Sequence, residues 1–469
     1  IYGNEELIAA APPLVMNIAV LVGALCYALP LSLMTAELGT AIPADGGQVA
    51  WVHTAFGRII GGHNGYWIWF TNVLDAAVYP QLAAQYVSHS LHLGAQAKAM
   101  VPFAFIVSVA IASLTGLACV TTLQGAIFVV SLTPCLIYIV VGLPSLDVSV
   151  ALSMPGDVAT DYAQLFSWTL WLFSGFASLG SLAGEIRRPR VTYPAAIALL
   201  LPLTTLLTLT PCAISLSLDR IIGHYEAGYF GELAGDIAGT WLTVLFSIGS
   251  NVSMLGLYTS QMITAEQTML GIVQGHGFFA DAHESGNDPG ICDAGDDSED
   301  GASDRSIGSE RPDQPRVDIN GRRPPWLMRA PSAGGAPRCI VLFNAGISCF
   351  LTFVDYSSLI MVEMMLVCVS TILFFSSFIA LRVQQPELDR SFKVPGGTIS
   401  VVVYSLPSFI MCVATLTINF MVRFNTVAFA CVIAGGLFVH MVGYVVRVFG
   451  DQCQSRARDL GGVPEVPQT

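Results

Sequence analysis

The chain reads as an all-α polytopic membrane protein. Three observations predict this: its composition, its recurring apolar runs, and the placing of its basic residues. Of 469 residues, 54% are hydrophobic and only 11% are charged, where a soluble domain carries about 25% charge. That excludes a soluble enzyme, a nucleic-acid binder and a disulfide scaffold. The formal charge of −13 is local, because nine acids fall between Asp281 and Asp304. It describes one polar loop more than the folded body.

The elements follow in order. A stub of residues 1–11 precedes apolar spans at 12–42, 62–88, 98–119, 124–146, 164–184, 194–217, 238–268, 338–354, 357–382, 398–421 and 425–447. Each is long enough for ~30 Å of hydrocarbon, with tilt or local thinning. With the stub counted as a broken first helix, the chain has twelve spans. Residues 1–184 carry the first repeat through a broken sixth span, and 185–274 hold spans seven and eight. Residues 275–337, rich in Gly, Asp, Ser, Pro and Arg, read as a disordered cytosolic loop. Residues 338–448 hold spans nine to twelve, and 449–469 form a cytosolic tail.

Orientation follows from the loops. Seventeen Lys and Arg fall in the segments assigned to the cytosol, and three (Lys98, Arg220 and Arg423) fall outside; without residues 275–338 the split is still 10 to 3. The positive-inside rule places both termini in the cytosol. The outer segments carry Asp147, Asp157, Asp161, Asp219, Glu226, Glu232, Asp236 and Asp355, a mouth of net −5. Such a mouth concentrates cations; ordinary solvated loops are the alternative. The chain starts at Ile1 without a signal peptide before the first span, so the first helix is expected to be truncated at its N-terminus.

A carrier of small polar solutes needs a protein-lined site at mid-membrane, where an unwound helix frees backbone groups. Two segments have that character. Tyr2-Gly3-Asn4-Glu5-Glu6 combines a turn signal with two acids in the first turn of a helix, where negative charge is favoured. Phe173-Ser174-Gly175-Phe176-Ala177-Ser178-Leu179-Gly180-Ser181 weakens the helix inside the sixth span. These breaks, at Gly3 and at Ser174 and Gly175, lie five helices apart. The spacing predicts two five-helix inverted repeats with two helices appended. Capping at the first segment and close packing by small residues at the second are the alternatives, and Phe176 is either a lid or core.

Charges inside the spans mark the candidate site. Asp75 lies near the middle of the third span, and Thr71, Asn72, Asp75 and Tyr79 share one helical face. A charge at the bilayer centre costs roughly 2.5–3.5 kcal/mol, so this stripe must face a cavity or a partner. Pro80 is expected to kink the helix. Glu363 lies roughly 9 Å into the tenth span at 1.5 Å per residue, with no basic residue nearby in sequence. Tyr258 either stacks on a cation or is packed core. Glu37 and Glu185 sit near helix ends, where gating or structural ion pairs are expected. With Asp75, Glu363 and Glu5 titratable, protons are the better coupling ion than sodium. The eleven cysteines show no CxxC or Cys/His spacing, so no metal or other cofactor is expected. No HExxH, GxSxG or paired-aspartate protease motif appears, which argues against an enzyme.

At this point the residues resemble a known family. Ala36-Glu37-Leu38-Gly39-Thr40-Ala41-Ile42-Pro43, with Gly46-Gly47 and Trp51, resembles the second span and first cytosolic loop of amino acid–polyamine–organocation (APC) transporters. Leu182-Ala183-Gly184-Glu185-Ile186-Arg187-Arg188-Pro189 resembles their sixth-span exit. Arg390-Ser391-Phe392-Lys393-Val394-Pro395-Gly396-Gly397 resembles the loop before their eleventh span. Within that superfamily the likeness is greatest to polyamine uptake transporters of plants and kinetoplastid parasites, through Asp75-Ala76-Ala77-Val78-Tyr79-Pro80, Tyr2-Gly3-Asn4-Glu5 and Glu363. The resemblance implies a LeuT-like five-plus-five fold, with Glu5, Asp75 and Glu363 as amine-binding carboxylates and Tyr79 beside them. The chain departs from the plant members at Ala177 and Gln261, where they carry acids, which fits a shorter or less charged amine, or an amino acid. The outer segment 89–97 has no cysteine, so no disulfide-linked heavy subunit is expected.

The chemistry points the same way. An amino acid carrier must bind a carboxylate, which free helix N-termini do well; acids placed there repel it. Several carboxylates and aromatic faces suit a polyamine. The sequence therefore predicts a plasma-membrane secondary transporter importing putrescine or spermidine with protons, by alternating access. Asn72, Phe176 and Tyr258 complete the expected lining. A cationic or large neutral amino acid permease and a non-transporting nutrient sensor are the rivals, and Golgi or vacuolar membranes are alternative locations.

Overall fold

The computed structural model describes residues 2–42, 47–91, 93–114, 119–178, 189–271, 338–422 and 425–437. The predicted loop 275–337, the 182–188 part of the sixth-span exit and the tail 449–469 lie outside the described residues. Among the described residues there are helices and turns and no strand. The helices are α1 (Glu5–Ala9), α2 (Pro13–Ala41), α3 (Gln48–Phe56), α4 (Arg58–Leu91), α5 (Ala95–Leu114), α6 (Cys119–Gly142), α7 (Val148–Ala151) and α8 (Tyr162–Ser178). They continue as α9 (Pro189–Leu218), α10 (Tyr229–Ala238), α11 (Thr240–Gly271), α12 (Arg338–Leu351), α13 (Tyr356–Gln384), α14 (Thr398–Phe420) and α15 (Asn425–Leu437).

Seven helices among the described residues are long and apolar enough to cross a membrane. This is an all-α polytopic membrane protein. Leu25, Phe128, Val140, Leu199 and Val403 are exposed on the outside of the bundle, where hydrocarbon would cover them. The main core cluster runs from Tyr2 and Leu7 through Tyr79 and Phe173 to Phe374 and Cys412, with a small second one of Ala36, Tyr193 and Ile197. At 34 residues α4 is the longest helix, yet it is less apolar than those seven because it carries the Asp75 stripe. It stays helical through Pro80.

The bundle has two chemically distinct ends. Asp147, Asp161, Asp219, Glu226, Glu232 and Asp355 lie at one, and Arg58, Arg382, Arg390 and Lys393 at the other. Backbone bonds tie the acidic end together: Leu14 N–H donates to Ser153 O at 3.1 Å, and Asp161 N–H to Ala10 O at 2.8 Å. Asp219 anchors the loop between α9 and α10. Its burial opposes ionisation, but donors from the Tyr229 hydroxyl, Ile221 N–H and His224 ring outweigh it and hold the carboxyl below its usual range. A depressed carboxyl stabilises above its unfolded pKa, so this anchor loosens as pH falls through the lowered value.

Two local features differ from expectation or were invisible to it. Helix α8 runs unbroken through Ser174 and Gly175, where the sequence predicted a break. Ser and Gly each weaken a helix by only about 1 kcal/mol or less, and here Ser174 Oγ donates to Trp171 O at 2.9 Å. Residues 179–181 of that predicted break are outside the described residues. Helix α2 carries a π turn at Gly23–Ala28. A Cβ on Gly23 would meet the Thr169 methyl at 2.6 Å, so glycine lets α8 approach. The Cys26 carbonyl at this turn accepts from Ser408 Oγ at 2.6 Å, as such turns free backbone groups.

At the basic end, Glu37 is fully buried and clasped. Arg382 Nε donates to its Oε1 at 2.8 Å, a second Arg382 nitrogen donates to Oε2, and Val394 N–H donates to Oε2 at 2.7 Å. Arg390 Nε lies 3.1 Å from Oε1 as an ion pair, while its other nitrogens donate to Leu381 O, Gln385 O and Leu388 O. Phe392 N–H donates to Thr40 Oγ1 at 3.2 Å. The sequence expected an ion pair at Glu37 without naming its partners. Removing one partner strands a buried charge. Arg382→Met should therefore cost about 3–5 kcal/mol and lower the melting temperature of the detergent-purified protein. The Glu37→Gln/Arg382→Met double variant should recover part of that loss. An unchanged melting temperature in the single variant would contradict the clasp.

Candidate functional site

The site forms where α4, α8, α11 and α13 meet at mid-bundle. The stripe on α4 puts Asp75 there with 3% of its surface exposed. Tyr79, one turn on, donates from its hydroxyl to both Asp75 oxygens at 2.9 Å. From α8, Trp171 Nε1 donates to Oδ1 at 2.9 Å, and from α11, Gln261 Nε2 donates to Oδ2. The Tyr79 and Trp171 rings stand 6.2 Å apart, tilted by 31°. Asp75 is thus held by three neutral donors between two aromatic side chains.

Glu363 enters from α13 with 2% of its surface exposed, and its Oε2 has no hydrogen-bond partner among the described residues. It interacts electrostatically with Asp75 and with Tyr79. Neither acid is ion-paired among the described residues. Two buried carboxyls without a basic partner are costly to charge together. They leave carboxyl charge at mid-bundle that no Lys or Arg among the described residues neutralises.

Glu5 lies in a separate layer toward the acidic end. Gly3, at φ +93°, turns the chain before α1. Its N–H donates to Glu5 Oε2 at 3.0 Å and also to the Tyr86 hydroxyl at 2.8 Å. The Tyr86 hydroxyl donates to Glu5 at 3.0 Å, and Gly228 N–H to Glu5 Oε1 at 3.3 Å. The Tyr2 hydroxyl donates to Ser131 O at 2.9 Å. A Cβ on Gly3 would touch the Trp168 and Trp171 rings at 3.5 and 3.8 Å, so Trp171 separates the Glu5 layer from Asp75. Glu6 faces another way, accepting from the Tyr356 hydroxyl and from Gln164 Nε2.

The structure brings Asp75, Tyr79 and Glu363 together and sets Glu5 one layer away. The Nδ2 of Asn72 has no partner. Phe176 is buried, its ring 6.4 Å from that of Phe173. Tyr258 packs edge-on against Phe105 at 5.7 Å, and the hydrogen bonds on Asp75 come from Tyr79, Trp171 and Gln261 instead. Sequence reasoning missed Trp171, Tyr86 and Gly228. Trp171 stands three residues before the flagged Ser174, and Tyr86 stands seven after Tyr79, two helical turns along the same face. Gly228 gave no signal.

The amino acid permease family model matches residues 2–278, more than half of the chain. The chain belongs to the amino acid permease family. It is a transporter of the APC superfamily. It is 25% identical over 422 residues to a probable polyamine transporter of Arabidopsis thaliana, covering 89% of this chain and 78% of that protein. It is 27% identical over 428 residues to polyamine transporter PUT1 of Oryza sativa subsp. japonica, covering 89% and 70%. An uncharacterized transporter of Legionella pneumophila is 24% identical over 454 residues, covering 89% and 86%.

The cap on Glu5 gives a test of this permease's acidic-end layer. Gly228 has φ +109°, and a Cβ there would meet the His89 ring at 2.8 Å. His89 itself lies 2.9 Å from Glu232 and 3.7 Å from Glu226. Gly228→Ala should cost about 1–2 kcal/mol from the left-handed backbone alone and lift the loop off Glu5. A cysteine placed at Glu226 should then react faster with a membrane-impermeant maleimide. Equal labelling rates with and without Gly228→Ala would contradict the cap.

Proposed function

We propose that this permease imports small polyamines such as putrescine or spermidine, coupled to protons, by alternating access. The observation that carries the reading is the pair Asp75 and Glu363, buried at mid-bundle without a basic partner among the described residues, next to Tyr79 and Trp171. An ammonium group satisfies a carboxylate and an aromatic face together. Of the two carboxyls, one serves the amine and the other serves the coupling proton. The acidic end would gather cations from outside; the basic end would face the cytosol of a cell whose plasma membrane holds the protein.

A second observation supports an amine over an amino acid. Carriers of carboxylates use free backbone N–H groups at a broken helix. Here the Gly3 N–H is taken by the protein's own Glu5 carboxylate at 3.0 Å. A substrate carboxylate would meet that acid instead of a free donor. The relatives named as polyamine transporters support the same substrate class.

The test is uptake into proteoliposomes of labelled putrescine, spermidine, arginine and leucine, with and without an inward proton gradient. Putrescine or spermidine should enter, and faster with the gradient. Asp75→Asn should reduce that uptake by about 10- to 100-fold, as expected for loss of a charge-assisted hydrogen bond worth ~1.5–3 kcal/mol. Uptake of arginine or leucine, uninhibited by putrescine, would instead mark an amino acid permease. Binding without counterflow would mark a sensor.

A further inference from the structure

Asp75 is saturated in this conformation. A carboxylate has about four lone-pair sites, and two donors reach each oxygen: Tyr79 and Trp171 at Oδ1, Tyr79 and Gln261 at Oδ2. An ammonium group entering the site finds no acceptor position until one donor gives way. Charge-assisted hydrogen bonds are about twice as strong as neutral ones, so an ammonium group can displace a neutral donor.

The three donors are not held alike. Tyr79 rises from the same helix as Asp75, one turn on, and is 4% exposed. Trp171 is wedged: its ring meets Trp168 edge-on at 5.1 Å and Tyr79 at 6.2 Å, and a Cβ on Gly3 would lie 3.8 Å from it. Gln261 reaches across from α11 on three side-chain torsions, against two for a ring. Its end group also imitates an amine. Only the NH2 end of an amide can face a carboxylate, and it carries two N–H donors where an ammonium carries three. That NH2 donates to Asp75 Oδ2, and the amide lies within hydrogen-bonding reach of the Tyr79 hydroxyl. An ammonium group set at the same point meets the same carboxylate oxygen and the same phenol.

We propose that Gln261 is a displaceable stand-in for the substrate's ammonium group: it satisfies Asp75 while the site is empty and swings away when the amine binds. Gln261 is a positioning residue, and Tyr79 and Trp171 stay on Asp75 to hold its oxygens toward the incoming charge. The empty and occupied states of Asp75 differ by one exchanged donor, which keeps the buried carboxylate partnered in both. The exchange weakens binding, because the amine competes with a donor already in place.

The inference rests on the amine reading of the site, and the test separates the two. Titration calorimetry on the detergent-purified protein reads the putrescine dissociation constant, and thermal unfolding without and with saturating putrescine reads stability. If wild type binds no putrescine, the amine reading fails and this inference with it. Given binding, Gln261→Met, which keeps the length and removes the donor, should tighten putrescine binding by about 3- to 10-fold. Its melting temperature should fall below wild type without ligand and rejoin it with saturating putrescine, since the occupied site no longer uses Gln261. Unchanged or weaker binding in Gln261→Met overturns the proposal, as does a melting deficit that saturating putrescine leaves in place, the mark of a purely structural glutamine. If Gln261→Met is not recovered folded, Gln261→Ala decides by the same two measurements.

Discussion

A carboxylate taken out of water must find compensation, and the centre of this bundle supplies it with no Lys or Arg among the described residues. Asp75 finds a phenol, an indole and an amide. Glu5 finds two backbone N–H groups and a phenol. Glu363 finds no partner for one oxygen. Neutral donors offset only part of the cost of a buried charge, so the middle of the protein stays short of positive charge. The less apolar α4, the unbroken stretch of α8 that brings Trp171 to Asp75, and the α11 turn carrying Gln261 all serve that arrangement.

The two ends are closed by different chemistry. At the basic end a full ion-pair cluster joins Glu37 to Arg382 and Arg390, with backbone groups of the 390–396 segment filling the remaining positions. At the acidic end the contacts are uncharged donors on Glu5, histidine–carboxylate contacts at His89 and His224, and an exposed Arg220–Asp147 ion pair at 3.5 Å. A buried ion pair is costly to break one partner at a time, while contacts with a partly exposed histidine exchange readily with water. Among the described residues, the basic end thus has a buried ion pair and the acidic end has only partly exposed ones.

Much of the architecture was legible in the sequence because an apolar run of membrane length is seldom anything but a membrane span. The positions of Asp75, Tyr79 and Glu363 were legible for the same reason, since polar side chains inside such runs are conspicuous. The helix break at Ser174 and Gly175 was misread: local propensity is weak beside packing, and Thr169 and Phe173 are pinned against Gly23. Glu5 was named as a candidate amine-binding carboxylate, but its layer could not be read, because its partners Tyr86 and Gly228 lie 81 and 223 residues away.

Unpaired acids at mid-bundle should recruit an organic cation, and everything proposed for this permease depends on that. Thermal unfolding of the purified protein tests it directly, since a ligand that binds only the folded state raises its melting temperature. The expected result is a saturable rise with putrescine, none with the uncharged analogue 1,4-butanediol, and loss of the putrescine effect in Asp75→Asn. Stabilisation by leucine but not by putrescine would contradict it.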